Sequence, residues 1–178
     1  RTGAQAYTDA APSSAAVGRH FPPPGSYNPC PSAQIMPLTS NKTDLHTAID
    51  GLTTAGSTAG QIGVAWGWYM VAPTFGYLFS GEGVPVAYDT VNLGQEVLKV
   101  VVIMTDGAFN TVYFDGVNSQ SSTSGSGSSN YKINQNATNG DPYTQAETLC
   151  DNMKAEGVIV YTVGLEISST TAVTDLMN

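Results

Sequence analysis

Residues 97–111 read VLKVVVIMTDGAFNT, an aliphatic run that ends abruptly in Thr105-Asp106-Gly107. The run is too short to cross a membrane and has the length of a strand buried on both faces, as in a parallel sheet. Ligands of open α/β sheets bind just beyond the carboxyl ends of such strands. Asp106 therefore either faces a binding site or is a solvated turn residue, since Asp-Gly is a common turn pair.

The composition is that of one acidic domain with few charged residues. The chain has 178 residues, of which 11% are charged, and its net charge is −8 with only six Lys and Arg. Because there is no basic patch, nucleic acid and anionic membrane surfaces are poor partners. A surface built mainly from uncharged polar side chains is typical of an exported protein. An acidic chain is compatible with divalent cations, but net charge alone identifies no site.

Neither the ends of the chain nor its two cysteines have a single interpretation. The sequence begins with Arg1 and has no signal segment, so we expect a fragment or a processed product whose membrane anchor, if any, lies outside these residues. Cys30 and Cys150 can pair with each other or with residues outside the fragment. Cys150 can also be a buried free thiol, because it lies on the apolar face of a predicted helix.

The amino-terminal third predicts an irregular arm followed by short elements. Residues 1–33 are rich in Ala, Ser, Pro and Gly and show no periodicity. Residues 33–38 predict a short strand stopped by Pro37, and Ser40 or Thr43 can cap the helix that follows. The buried stripe predicted for this helix consists of Leu45, Ala48, Ile49 and Leu52.

A second helix, over residues 61–71, is apolar almost all round and must be well covered. Its predicted stripe consists of Ile62, Ala65, Trp66, Tyr69 and Met70, widened by Val64, Trp68 and Val71. Core packing is the simpler role for both tryptophans, and a ligand contact is the alternative. Residues 74–94 predict a loop, or a hairpin around Gly81-Glu82-Gly83.

The carboxyl-terminal part alternates helix and strand around a polar insertion. The central strand covers residues 99–104, and residues 110–141 form the Ser- and Gly-rich insertion, either a mobile surface loop or a recognition element. A capping box at Thr144 and Glu147 begins a helix that Gly157 ends, and residues 158–164 predict a second doubly buried strand. A last helix begins near residue 168, with Ala172, Val173, Leu176 and Met177 on its apolar face. This alternation predicts an α/β fold, a Rossmann-like doubly wound, mostly parallel sheet.

Several of these segments together resemble the von Willebrand factor type A (vWA) domain. They are the small-residue loop in which Thr58 precedes an apolar helix, the strand that ends at Asp106, and GVIVYTVG at residues 157–164. The sequence is most like the A-type domain of the TadG-like proteins of the Tad/Flp pilus-assembly system, over residues 30–178 without the insertion. This resemblance rests on IMPLT at 35–39, GST at 56–58, AWGWY at 65–69, LCDNMK at 149–154 and YTVG at 161–164.

The resemblance implies a MIDAS-like cation site. In that family an Asp-x-Ser-x-Ser loop after the first strand, a Thr and a second Asp hold a divalent cation, and a partner's carboxylate completes its shell. Thr58 and Asp106 match the Thr and the second Asp, as direct or water-mediated contacts, with Ser57 and Gly107 shaping their loops. A hydroxyl and a carboxylate are hard oxygen donors suited to Mg²⁺, Mn²⁺ or Ca²⁺.

The sequence departs from the family in one respect. It contains no Asp-x-Ser-x-Ser, and the only acid near the amino terminus, Asp9, lacks the spacing and a preceding strand. Residues 34–178 are thus expected to be a partial vWA-like domain that lacks its first strand, with a cation only if the missing loop lies upstream. Such a fragment needs another chain or segment to fill its sheet.

The resulting expectation is a metal-dependent protein-binding module for adhesion or assembly in a bacterial cell envelope, on the periplasmic or extracellular face. The alternative is a structural pilus or envelope subunit with a degenerate, metal-free vWA fold. An enzyme is not expected, because the sequence has no nucleophile elbow, phosphate loop or dinucleotide fingerprint. Its only histidines are His20, in the arm, and His46, on the exposed side of a predicted helix.

Overall fold

The computed structural model describes residues 7–11, 32–54, 58–92, 94–106, 109, 112–114, 117–119 and 141–167. This part of the chain is mixed α/β, as predicted. Its elements in chain order are α1 (Lys42–Asp50), α2 (Gly60–Val71), two 3₁₀ helices (Pro73–Leu78 and Gly81–Gly83), β1 (Val91–Asn92), β2 (Gln95–Glu96), β3 (Val100–Thr105), β4 (Val112–Phe114), β5 (Val117–Ser119), α3 (Pro142–Ala155) and β6 (Ile159–Gly164). None of the described helices has the length and apolarity needed to cross a membrane.

The central sheet consists of β3 and β6, which pair in parallel with α3 between them in the chain. Val100 lies opposite Ile159 and Thr105 lies opposite Gly164. The main chain continues this ladder by one bond, because the amide of Leu165 donates to the carbonyl of Thr105 at 2.9 Å. The predicted order of strand, helix and parallel strand is thereby confirmed.

Helices α2 and α3 cover one face of this sheet. Val101 and Ile103 of β3 are buried on that face, and Gly67 of α2 lies so close that an added Cβ would be 3.1 Å from Cγ1 of Val101. The core between helices and sheet consists of Val64, Trp68, Ala72, Phe75, Val101, Ile103, Phe109, Ala146, Leu149, Cys150, Met153 and Val158.

The opposite face of the sheet is exposed, so the prediction that both strands are buried on two faces is wrong for the described residues. Its side chains alternate with the buried ones and lie side by side across the ladder. We call this set, Val100, Val102, Met104, Ile159, Tyr161 and Val163, the bare sheet face. Met104 is 64% exposed and Tyr161 is 60% exposed. An aliphatic run shows that a strand can be buried on both faces, but burial of the second face also needs an element that covers it.

Helix α1 forms where predicted, yet it has a different cap and no buried residue. Its N-cap is Asn41, whose side-chain oxygen accepts hydrogen bonds from the amides of Thr43 and Asp44 at 3.0 and 3.4 Å. The prediction of Ser40 or Thr43 as the cap is therefore wrong. The predicted buried stripe is also wrong, because all four of its residues, Leu45, Ala48, Ile49 and Leu52, are exposed.

Glu82 attaches the start of α1 to the rest of the molecule. Its carboxylate accepts hydrogen bonds from the hydroxyls of Thr39 and Ser40 at 2.6 and 2.9 Å. Glu82 lies in a 3₁₀ helix, Gly81–Gly83, where the sequence predicted a loop or a hairpin. Residues 33–39 form no strand either, because Pro37 has no amide to donate and no strand lies beside them within the described residues.

Helix α2 has the predicted extent, but its buried face is rotated. Val64 and Trp68, which were predicted to widen the stripe, are buried, whereas Ile62 and Trp66, at its predicted centre, are only partly buried. Nearly every position of this helix is apolar, so its periodicity does not indicate which side faces the core. Core packing of Trp68 is confirmed, with 2% of its surface exposed.

Helix α3 ends as predicted but begins about one turn earlier than predicted. Asp141 is its N-cap and accepts from the amides of Tyr143 and Thr144 at 3.0 and 2.9 Å, so the capping box predicted at Thr144 is wrong. At the other end Gly157 has a φ of +84°, the left-handed conformation that glycine adopts most readily. Cys150 is a buried free cysteine, and Cys30 lies outside the described residues.

Two short antiparallel hairpins were not predicted. β1 pairs with β2, and β4 pairs with β5 inside the segment expected to be a polar insertion. The sequence between β4 and β5 is Asp115-Gly116, a strong hairpin signal between strand-forming residues. The remainder of the insertion and the helix predicted from residue 168 lie outside the described residues.

Candidate functional site

Helix α2 runs antiparallel to β3, and three contacts along its length show this. The carbonyl of Val71, at the end of α2, accepts from Nζ of Lys99, which immediately precedes β3. Gly67 lies against Val101 near the start of the strand. Gly60, the first residue of α2, lies against the ring of Phe109, which follows the strand. The amino terminus of α2 is therefore at the carboxyl end of β3.

Phe109 also brings the amino terminus of α3 to this end. Its amide donates to the hydroxyl of Tyr143 at 3.2 Å, and the two rings stack with centroids 5.2 Å apart. The ring is 3% exposed and lies so close to Gly60 that an added Cβ would overlap it. One aromatic residue thus joins the carboxyl end of β3 to the starts of two helices, where a sheet of this class binds its ligands.

Both predicted site residues lie at this end. Asp106 directly follows β3, and Thr58 precedes α2 by two residues; both are exposed. Thr58 is not the N-cap of α2, because Ala59 occupies that position. Ser57 and Gly107 lie outside the described residues.

The donors at this end fit a divalent cation in kind but are few. A Thr hydroxyl and a carboxylate are oxygen ligands of the type that Mg²⁺ and Mn²⁺ prefer. Mg²⁺ takes six ligands in a near-octahedral arrangement. Within the part of the chain that the structure describes, no three His, Cys, Asp or Glu side chains gather into a metal-holding group. Thr58 and Asp106 would supply part of a site, and the other ligands would have to come from elsewhere.

Asp9 lies at the opposite end of the sheet and does not join this site. Its carboxylate accepts from the hydroxyl of Tyr88 at 2.8 Å, and that hydroxyl accepts from Nε1 of Trp68 at 2.9 Å. Nζ of Lys99 is 4.5 Å from the centroid of the Tyr88 ring and donates to the carbonyls of Val71 and Val86. Together these side chains form a polar cluster at the amino-terminal end of β3. Its members are Asp9, Trp68, Tyr88 and Lys99.

The polar cluster has perturbed ionisation and a structural role. Burial lowers the pKa of Lys99, partly offset by the charge of Asp9. Burial, together with the hydrogen bond to Asp9, raises the pKa of Tyr88 above its ordinary value. The cluster attaches residues 7–11 to the body, helped by a hydrogen bond from Asn152 to the carbonyl of Tyr7 at 2.8 Å. The sequence offered one signal for it, a lone Lys at the start of an apolar strand.

The histidines form no catalytic arrangement in the described residues. His46 is exposed on α1, as expected, and His20 lies outside the described residues. No protein-family model, curated protein or solved structure matches this chain.

Proposed function

We propose that this chain is a metal-dependent protein-binding module of a bacterial cell envelope, acting in adhesion or in Tad/Flp pilus assembly. The supporting observation is the contact between Phe109 and Gly60, which puts the segment carrying Asp106 and the segment carrying Thr58 at one end of a parallel sheet. These are the two positions that match the family's cation contacts. The proposed function is binding, with no bond made or broken.

Within this proposal Thr58 and Asp106 contact a divalent cation, Mg²⁺ or Mn²⁺, with Ca²⁺ as a further option. The cation, when bound, supplies an electrophilic position for an oxygen ligand. The resemblance assigns the remaining ligands to an Asp-x-Ser-x-Ser loop, so a cation is expected only if such a loop lies upstream of Arg1, with water molecules completing the shell. The amino termini of α2 and α3, whose peptide dipoles carry partial positive charge, favour a carboxylate from the partner protein at this end.

The exposed face of the sheet supports the proposal that these two strands belong to a larger, doubly wound sheet of the vWA type. Parallel sheets occur almost only with both faces covered, whereas β3 and β6 are covered on one face. Each of these two strands also has one strand neighbour among the described residues. A further strand beside β3 would continue the sheet and bring its own loop to the end where Asp106 lies.

Calorimetric titration with MgCl₂ and MnCl₂ tests the cation contacts. The assay uses this chain and, where the gene encodes residues before Arg1, a longer version that includes them. Asp106→Asn and Thr58→Val should each weaken binding at least tenfold in the longer version. Asp89→Asn, an exposed carboxylate near the polar cluster, is the matched control and should leave binding unchanged. Absence of cation binding in the longer version would sink the proposal.

A second candidate function is a structural pilus or envelope subunit with a metal-free fold. It is favoured by the small number of oxygen donors at the site, because no three His, Cys, Asp or Glu side chains of the described residues gather there into a metal-holding group. The two functions differ in the response to a chelator. A structural subunit assembles equally well with and without EDTA, and Asp106→Asn leaves its assembly unchanged.

A further inference from the structure

Asp106, the carboxylate proposed to contact a cation, lies in a short segment that is held at both ends. On one side is Thr105, the last residue of β3, which lies opposite Gly164 in the parallel ladder. The carbonyl of Thr105 accepts from the amide of Leu165 at 2.9 Å. On the other side is Phe109, three residues beyond Asp106 and 3% exposed. Three residues span at most about 10 Å, so these two attachments confine Asp106.

Tyr143 provides the second attachment through two different contacts. Its ring stacks on the ring of Phe109, with centroids 5.2 Å apart and 7° between the planes. Its hydroxyl oxygen accepts a hydrogen bond from the main-chain amide of Phe109 at 3.2 Å. The stack holds a side chain, whereas the hydrogen bond holds the main chain that leads back to Asp106. A phenylalanine at position 143 would keep the stack and lose only the hydrogen bond.

The start of α3 holds Tyr143 in turn. The side chain of Asp141, the N-cap, accepts from the amide of Tyr143 at 3.0 Å. Pro142 occupies the first turn, where its missing amide costs the helix no hydrogen bond. Ala146 and Leu149, one and two turns further along α3, are buried in the core. The hydroxyl that accepts from Phe109 therefore belongs to a well-packed element, as the support of a binding site requires.

We propose that Tyr143 is a positioning residue of the cation site. Its hydroxyl holds the main chain after Asp106, and thereby the carboxylate that contacts the cation. This inference rests on the proposed function, because it needs a cation at Asp106. Mg²⁺ takes oxygen ligands at about 2.0–2.1 Å in a near-octahedral arrangement, so a ligand that can move binds it less tightly. Tyr143 acts through Asp106 and is not itself a ligand.

Tyr143→Phe is the test variant, because it removes the hydroxyl alone. The ring stack and the packing of Phe109 on Gly60 remain, so the segment that carries Thr58 should keep its place. In calorimetric titrations with MnCl₂, the dissociation constant should rise about two- to tenfold, the factor that corresponds to the loss of one hydrogen bond. The titrations use the same versions of the chain as those with Asp106→Asn.

Tyr88→Phe is the matched control. It also removes a hydroxyl with two hydrogen bonds, to Asp9 at 2.8 Å and from Trp68 at 2.9 Å, but at the amino-terminal end of β3. Urea unfolding should show that both Tyr→Phe variants are folded and that both are less stable than the wild type. The dissociation constant for Mn²⁺ should rise in Tyr143→Phe and stay within about twofold of the wild type in Tyr88→Phe.

A double-mutant cycle shows whether the hydroxyl acts through Asp106. In the Asp106→Asn background, Tyr143→Phe should cause no further loss of affinity, because the group that Tyr143 positions is already gone. A general loosening of the site would instead lower affinity by the same factor in both backgrounds.

The outcomes distinguish this inference from the function on which it rests. Wild-type affinity in Tyr143→Phe overturns the inference and leaves the proposed function standing. An equal loss in Tyr88→Phe, or an undiminished loss in the Asp106→Asn background, does the same. A wild-type chain that binds neither Mg²⁺ nor Mn²⁺ in any version overturns the proposed function and this inference together.

Discussion

Replacing Gly60 with Ala should destabilise this protein, although Ala is the better helix former. The gain in helix propensity is at most about 1 kcal/mol, and less at the first residue of α2. An added methyl would overlap the buried ring of Phe109, which is fixed by its stack on Tyr143. Overpacking of this kind costs about 1–3 kcal/mol. The steric term wins, so the free energy of unfolding should fall by about 1–2 kcal/mol.

The decisive assay is a double-mutant cycle followed by urea unfolding. Phe109→Ala alone should cost about 3–5 kcal/mol, because it removes a buried aromatic side chain. In that background Gly60→Ala meets no ring and should become neutral or stabilise by up to about 1 kcal/mol. If Phe109→Ala does not fold, Phe109→Leu serves, with a smaller reversal. Equal effects of Gly60→Ala in both backgrounds, or stabilisation of the wild type, would refute the packing of Phe109 on the start of α2.

Three further outcomes follow from particular contacts. Lys99→Met should lower the free energy of unfolding by about 1–3 kcal/mol in urea titrations, because it removes the hydrogen bonds that Nζ of Lys99 donates to the carbonyls of Val71 and Val86; an unchanged value contradicts the role of the polar cluster. Hydrogen bonds from Thr39 and Ser40 lower the pKa of Glu82, so their stabilisation is fully present above the carboxyl's unfolded pKa and is lost as pH falls through the folded value. The protection of the α1 amides against exchange, relative to the intrinsic rate at each pH, should fall below about pH 4, and Glu82→Gln should abolish that fall. Burial raises the pKa of Cys150 to about 11, so alkylation at pH 8 should be at least a hundredfold slower than for an unfolded control, and fast alkylation of the native chain would contradict its burial.

The elements that the sequence predicts well are those whose local signals agree. β3 and β6 are β-branched runs, and Gly157 marks the end of α3 by a conformation that few other residues adopt. The predicted parallel pairing follows because a helix separates two such runs. Caps were less predictable, since Asn41, Ser40 and Thr43 all compete within four residues and the geometry of the entering chain decides among them.

Burial was predicted less well than secondary structure because it depends on partners distant in sequence. The amphipathic pattern of α1 shows which side could be buried, but Leu45, Ile49 and Leu52 remain exposed. In α2, where almost all positions are apolar, the position of β3 determines that Trp68 and not Trp66 enters the core. No local pattern contains that information.

The candidate site, too, was predictable only in part. The rule that ligands bind at the carboxyl ends of parallel strands predicts the region of Asp106 from sequence alone. The contact of Phe109 with Gly60, across 49 positions of the chain, could not be predicted, and neither could the bond between Asp9 and Tyr88. Both depend on how the chain returns to itself after long connections, which pattern and propensity do not specify.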